Sequence, residues 1–301
     1  MTSSLITFNL TNFDEFSTDL IDFLSEIGQH FQSRIDGLLE KRKVKKATLD
    51  EFTKVEDIVQ FLTKNAPKVE NENWKIAALP SRLKNRQIDA GDVSPAFKDQ
   101  LERYLSTSPD QLQGIQVDFD DGHCPTIGNQ LASWKNVREI VQDKYLSQCP
   151  IMMLRPRALN MEDHLVNFDG KSMNGGLLDF AILMFQNAKK LMEPNYENRN
   201  GPFFYLSKLE NAEEARLWND VFDWTESKLD IPKGTIKACI LIENILAAFE
   251  MEAMLFNIKD HAIGLNCGMW DYSASILASF GHRPEFVLPD RHQYVNIKAQ
   301  C

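Results

Sequence analysis

The chain has 301 residues, 43% hydrophobic and 25% charged, with a formal net charge of −10 at pH 7 and a pI near 5.2. That is the composition of a soluble globular protein, long enough for one large domain or for a small helical domain plus most of a barrel. The acidic balance argues against a nucleic-acid surface, there is no apolar run of about 18 residues that would span a membrane, and the first twenty residues, with Asp14, Glu15, Asp19 and no Lys or Arg, fit neither a secretory signal nor a basic transit peptide.

Phe16, Leu20, Phe23, Leu24, Ile27, Phe31, Ile35, Leu38 and Leu39 recur every three or four residues. The spacing predicts an amphipathic helix with Lys41 to Lys46 as its basic, solvated exit. A second helical piece is expected over Leu49 to Lys64. Residues 65–110 are polar and punctuated by Pro80, Gly91 and Pro95, so they read as connection with short helices. Residues 1–110 are therefore expected to form an N-terminal helical region and linker.

From about residue 112 short apolar runs alternate with helical stretches. The runs are Gly114–Phe119, Ile151–Leu154, Phe203–Leu206, Thr235–Ile242, Ile263–Leu265 and Phe286–Leu288; the helices include Ala212–Leu229 and Ile245–His261. Asn211 with Glu214 three residues on is a capping box. Such alternation predicts an α/β fold with a parallel sheet. Residues 111–301 are expected to hold the first five or six βα units of a TIM-type (β/α)8 barrel, which closes only with eight strands and is incomplete in this chain.

The runs end on charges: Asp120 and Asp121, Arg155, Lys208 and Glu210, Glu243, and Asp271. In barrels the carboxyl ends of the strands face the site, although a strand end is also where any chain regains water. Glu243 and Asp271, at the ends of successive predicted strands, suit Mg²⁺, a hard ion held by one or two carboxylates. Position alone leaves other roles open, with Arg155 as an ion-pair partner of Asp120 or Glu210 and Glu243 as a helix N-terminal carboxylate. His123 and His261 read as structural. The five cysteines, Cys124, Cys149, Cys239, Cys267 and Cys301, are scattered without zinc-ligand spacing and read as free thiols.

An ordered set of motifs spans roughly residues 70–295. It comprises Leu154-Arg155-Pro156-Arg157, Gly201-Pro202-Phe203-Phe204-Tyr205-Leu206-Ser207-Lys208-Leu209-Glu210, Glu214-Ala215-Arg216-Leu217-Trp218-Asn219, Gly234-Thr235-Ile236-Lys237-Ala238, Leu241-Ile242-Glu243, Phe249-Glu250-Met251, Asp260-His261 and Gly264–Tyr272. Asn73-Trp74-Lys75-Ile76 and Asp118–Asp121 match more weakly. In this set the chain resembles malate synthase, the glyoxylate-cycle acyltransferase that condenses acetyl-CoA with glyoxylate and hydrolyses the product to malate and CoA, in its shorter isoform.

The resemblance implies that Arg155 is the catalytic arginine, that Glu243 and Asp271 ligate Mg²⁺, and that glyoxylate and acetyl-CoA are the substrates. Gly268 and Trp270 are the candidate substrate contacts, with the Gly264–Gly268 backbone offering N–H groups to the glyoxylate carboxylate; packing is the competing role for Trp270. Ser207, Asn244, Met269, Ser273 and Ala274 depart from the family's usual residues without removing a ligand. The resemblance also implies that the family's catalytic base, an Asp downstream of the metal ligands, has no counterpart here. On that expectation the C-terminal part, or a partner chain, is needed to complete the barrel, and these residues are inactive alone. The alternative is a non-catalytic protein that keeps a Mg²⁺/2-oxoacid site. An intracellular location is expected, without distinction between peroxisome, cytosol and mitochondrion.

Overall fold

The computed structural model describes residues 5–293 apart from 12, 72, 144, 145, 288, 291 and 292. A short strand, β1 (Ile6–Phe8), precedes α1 (Thr18–Glu51) and α2 (Val55–Asn65). There follow β2 (Asp89–Val93), α3 (Lys98–Leu105), β3 (Gly114–Asp118), α4 (Ile127–Asp143), β4 (Ile151–Arg155), β5 (Glu162–Phe168), β6 (Lys171–Asn174) and α5 (Gly175–Leu191). The order then runs β7 (Phe203–Leu206), α6 (Ala212–Lys228), β8 (Lys237–Ile242), α7 (Met251–Asn257), β9 (Ala262–Cys267) and α8 (Met269–Phe280). None of these helices is long and apolar enough to cross a membrane.

Helix α1 starts where Ser17 accepts a hydrogen bond from the Leu20 N–H at 3.3 Å. Its buried stripe of Leu20, Phe23, Leu24, Ile27, Phe31 and Ile35 is the periodicity read from the sequence. Burying each such side chain contributes about 1.5–3 kcal/mol. The helix does not stop at Lys41–Lys46, nor is that run simply solvated. Lys41 pairs with Glu213 at 2.7 Å, Arg42 with Glu214 at 2.7 Å and Lys45 with Glu250 at 3.3 Å, so the run is a seam between α1 and the start of α6 and α7. The second expected helix splits at 52–54, with α2 beginning at Val55.

Six strands form one curled parallel sheet in the order β2-β3-β4-β7-β8-β9, a partial TIM-type barrel. Period-two alternation sorts its side chains. Leu154, Phe204, Leu206, Ala238, Ile240 and Ile242 join the core shared with the helices. Ile151, Met153, Phe203, Tyr205, Cys239 and Leu241 form a separate inner cluster under Leu83. Among the described residues β2 and β9 are the sheet's edges. Strand β2 lies in the stretch read as connection, so the sheet begins before residue 111. The strand expected at Phe286–Leu288 is absent at Phe286, which sits in a 3-10 turn (Pro284–Phe286); Leu288 lies outside the described residues. A second, antiparallel sheet, β1-β5-β6, was not foreseen.

The segment after β4 is held by a buried ion pair. Arg157 donates to Asp179 from Nε at 2.8 Å and from Nη2 at 3.0 Å, and its Nη1 lies 2.8 Å from Asp163. Asp179 also accepts from Gln130 and from the Trp134 indole, each at 3.1 Å, which ties α4 and α5 to the chain leaving β4. Removing one partner strands a buried charge. Asp179→Ala is therefore expected to lower stability by about 3–5 kcal/mol. Arg34→Ala, which breaks an exposed pair with Asp220, is expected to cost about 0–1 kcal/mol, both read by urea denaturation.

At the opposite end of the sheet Lys237 opens β8, buried, with Nζ donating to the Asp260 carbonyl at 2.6 Å. Burial, reinforced by nearby Arg199, pulls its pKa from 10.5 down to about 8. Between those values the unfolded chain holds a proton that the folded chain has shed, so stability rises with pH across the window. Lys237→Met is expected to flatten that rise in denaturation midpoints measured over the same range.

Candidate functional site

The mouth of the sheet is built from strand ends. Asp118 closes β3 and locks the following turn, accepting from the N–H groups of Asp120 and Gly122, both at 2.8 Å. Asp120 in turn accepts from the Ala158 N–H at 3.3 Å. Arg155, the last residue of β4, is 3% exposed. Its Nη2 lies 3.0 Å from Asp120, 2.5 Å from Asp121 and 3.8 Å from Glu243; its Nη1 lies 3.5 Å from Asp118 and from Asp92. The Nε of Arg155 is buried with no partner among the described residues.

Lys208 follows β7 in the left-handed region, φ 54°, a conformation that costs a non-glycine residue about 1–2 kcal/mol. Its N–H donates to Glu243 Oε1 at 2.7 Å, and its Nζ lies 2.7 Å from Asp120, 2.7 Å from Asp121 and 3.3 Å from Asp271. Glu243 follows β8, and Asp271 sits in the first turn of α8. Gly268, between β9 and α8, lies against Glu243: a Cβ there would be 2.5 Å from Glu243 Cβ and 2.6 Å from Oε2.

Two cations thus face six carboxylates, of which only Asp92 is mostly exposed. Burial pushes Asp118 up to about 6 against the pull of Arg155 and two N–H donors. It likewise pushes Glu243 up to about 7, against Arg155 and the Lys208 N–H. Asp121, though also partly buried, is held below the usual range by Lys208 and Arg155. Arg155 itself is lowered by burial but raised further by its carboxylates, so it stays protonated. Carboxylate oxygens of Asp121, Glu243 and Asp271 lie within 4.8 Å of one another. An all-oxygen, anionic donor set fits a hard divalent cation such as Mg²⁺. A second cluster, Asp223, Glu226 and His261, does not fit one. His261 Nδ1 is 2.9 Å from the Ile236 carbonyl, and Glu226 takes the N–H groups of Gly234 and Ile236, both at 2.7 Å.

Arg155, Glu243 and Asp271, expected from the sequence, are brought together. Glu210 is not: it turns toward Arg42 at 3.5 Å. Trp270 is 60% exposed. The Gly268 N–H is committed to the Ile242 carbonyl at 3.2 Å, so it is not a free donor. Cys267, beside Gly268, is a free, exposed thiol. The sequence named Lys208 and Asp121 as rim charges without placing them beside Glu243 and Asp271. Their position after strands β7 and β3 was the available signal.

The family described as "Malate synthase, TIM barrel domain" matches residues 151–299. Malate synthase of Myxococcus xanthus (strain DK1622) is 32% identical over 293 residues, 93% of this chain and 52% of that protein. Malate synthase of Dictyostelium discoideum is 33% identical over 293 residues, 91% of this chain and 50% of that protein. Malate synthase of Streptomyces clavuligerus is 34% identical over 307 residues, 93% of this chain and 52% of that protein. The chain spans about half the length of the curated relatives it matches.

The Gly268–Glu243 contact gives a direct test of the cluster. Gly268→Ala forces Glu243 to move, and is expected to weaken Mn²⁺ binding by about 10–100-fold, the range for a displaced ligand support. The overpacking itself is expected to cost about 1–3 kcal/mol. Titration calorimetry and urea denaturation read the two effects.

Proposed function

The chain belongs to the malate synthase family, and from that premise we propose that these residues form the part of the site that binds a divalent cation and a 2-oxoacid. The reaction proposed for the whole protein is acetyl-CoA + glyoxylate + H₂O giving malate + CoA. The observation that carries the reading is the convergence of Arg155, Lys208, Glu243 and Asp271 at one end of a parallel sheet.

Glu243 and Asp271 would hold Mg²⁺, with Asp121 at the same cluster. When bound, the cation supplies Lewis-acid polarisation of the 2-oxoacid carbonyl. Arg155 is pre-set by its ring of carboxylates and needs no reorganisation to face developing negative charge. Its guanidinium is the group to stabilise the enolate oxygen formed as acetyl-CoA loses a methyl proton. Gly268 contributes by having no side chain, which lets Glu243 approach. Trp270 offers an exposed indole beside the mouth for substrate contact. We assign the base that takes the methyl proton to no acid among the described residues, and propose that a further segment or a partner chain supplies it.

Calorimetry with Mg²⁺ and glyoxylate, run beside a malate assay, tests this reading. The 301-residue chain is expected to bind glyoxylate in a Mg²⁺-dependent manner without forming malate. Glu243→Gln and Asp271→Asn are expected to abolish the Mg²⁺ dependence. Arg155→Lys is expected to weaken glyoxylate by roughly 10–100-fold, the worth of a charged hydrogen bond. Glyoxylate binding that is indifferent to Mg²⁺ and to all three substitutions contradicts the assignment.

A further inference from the structure

We propose that Lys208 is the positioning residue of the carboxylate cluster, its ammonium serving as the resident counter-ion that a divalent cation displaces from Asp271 while its main-chain N–H aims Glu243. The proposal rests on the cation-site reading above and adds a residue to it.

Three features set Lys208 apart from an ordinary surface lysine. Its Nζ touches three acids that arrive on different elements: Asp120 at 2.7 Å and Asp121 at 2.7 and 2.8 Å from the turn after β3, and Asp271 at 3.3 Å from α8. Its backbone is held left-handed, φ 54°, and that conformation accompanies a 2.7 Å hydrogen bond from its N–H to Glu243. Its carbonyl is tied down as well, accepting from Arg42 Nη2 at 3.0 Å, and Arg42 is fixed by Glu214 at 2.7 and 2.8 Å. Helix α1 thus holds the loop from behind while both ends of Lys208 work on the ligands in front.

Electrostatics requires such a group. With Arg155 alone, six carboxylates would share one cation at a partly buried site. Like charges at these distances repel strongly unless a cation lies between them. Arg155 reaches Asp92, Asp118, Asp120, Asp121 and Glu243; Asp271 is reached by Lys208. The ammonium therefore bridges one of the expected metal ligands to the acids already neutralised. It holds the cluster closed when no metal is present, and it competes for the oxygens that a metal needs.

Lys208→Met keeps the main-chain donor, most of the side-chain volume and the same backbone requirement, and removes the ammonium with its charge and its hydrogen bonds to Asp120 and Asp121. In EDTA its melting temperature is expected to fall by roughly 3–6 °C, the loss of charged hydrogen bonds in a chain of this size. The drop is expected to shrink by at least about half in an Asp121→Asn background, because the two groups act as a pair. Mn²⁺ binding to Lys208→Met is expected to tighten on the order of tenfold, since a competing charge has gone. Lys208→Arg is expected to restore the wild-type melting temperature. Additivity of Lys208→Met with Asp121→Asn in EDTA overturns the counter-ion role, whatever the metal does. Unchanged or weaker Mn²⁺ binding to Lys208→Met overturns the displacement. If no variant binds Mn²⁺ while the metal-free coupling is present, the counter-ion role stands and the cation-site reading fails.

Discussion

A guanidinium buried under carboxylates is the constraint on which the mouth of this sheet depends. Burying the Arg155 charge costs several kcal/mol unless it is paired, and the surrounding acids, with Asp118 and Glu243 themselves buried, carry the same liability. Each group is tolerable only because the others are present. The strand ends of β3, β4, β7 and β8 and the start of α8 must therefore meet within a few ångströms, and the parallel order of the strands is what lets them.

Two arginines one residue apart divide the labour. Arg157 satisfies its donors on Asp179 and Asp163 and fixes the backbone leaving β4. Arg155 faces the mouth, its buried Nε without a partner among the described residues. The inner cluster from Ile151 to Leu241 supports the strand ends from below, and the helix-facing core supports them from outside. Helix α1 joins the same scheme through Arg42, whose pairing with Glu214 reaches the loop that carries Lys208. The N-terminal helix is thereby part of the apparatus that shapes the site.

What could be read from the sequence follows from what local pattern encodes. Buried parallel strands read as continuous apolar runs, and β3, β4, β7 and β8 were legible for that reason. Strand β2, Asp89-Ala90-Gly91-Asp92-Val93, lies at a sheet edge with one buried residue, so nothing in its composition separates it from a loop. The Lys41–Lys46 run looked solvated because the partners of Lys41 and Arg42 lie 172 residues away. Glu243 and Asp271 could be picked out as acids at strand ends, and the family resemblance gave them and Arg155 roles. The position of Lys208 among these acids could not be read, since its left-handed backbone comes with contacts on both sides.

The central claim is that this carboxylate cluster is a divalent-cation site governed by Glu243 and Asp271. Anomalous diffraction from crystals soaked in Mn²⁺ tests it most directly. The account predicts one strong peak bounded by the carboxylates of Glu243 and Asp271, lost in Glu243→Gln. A peak elsewhere, or none at this cluster, would contradict it.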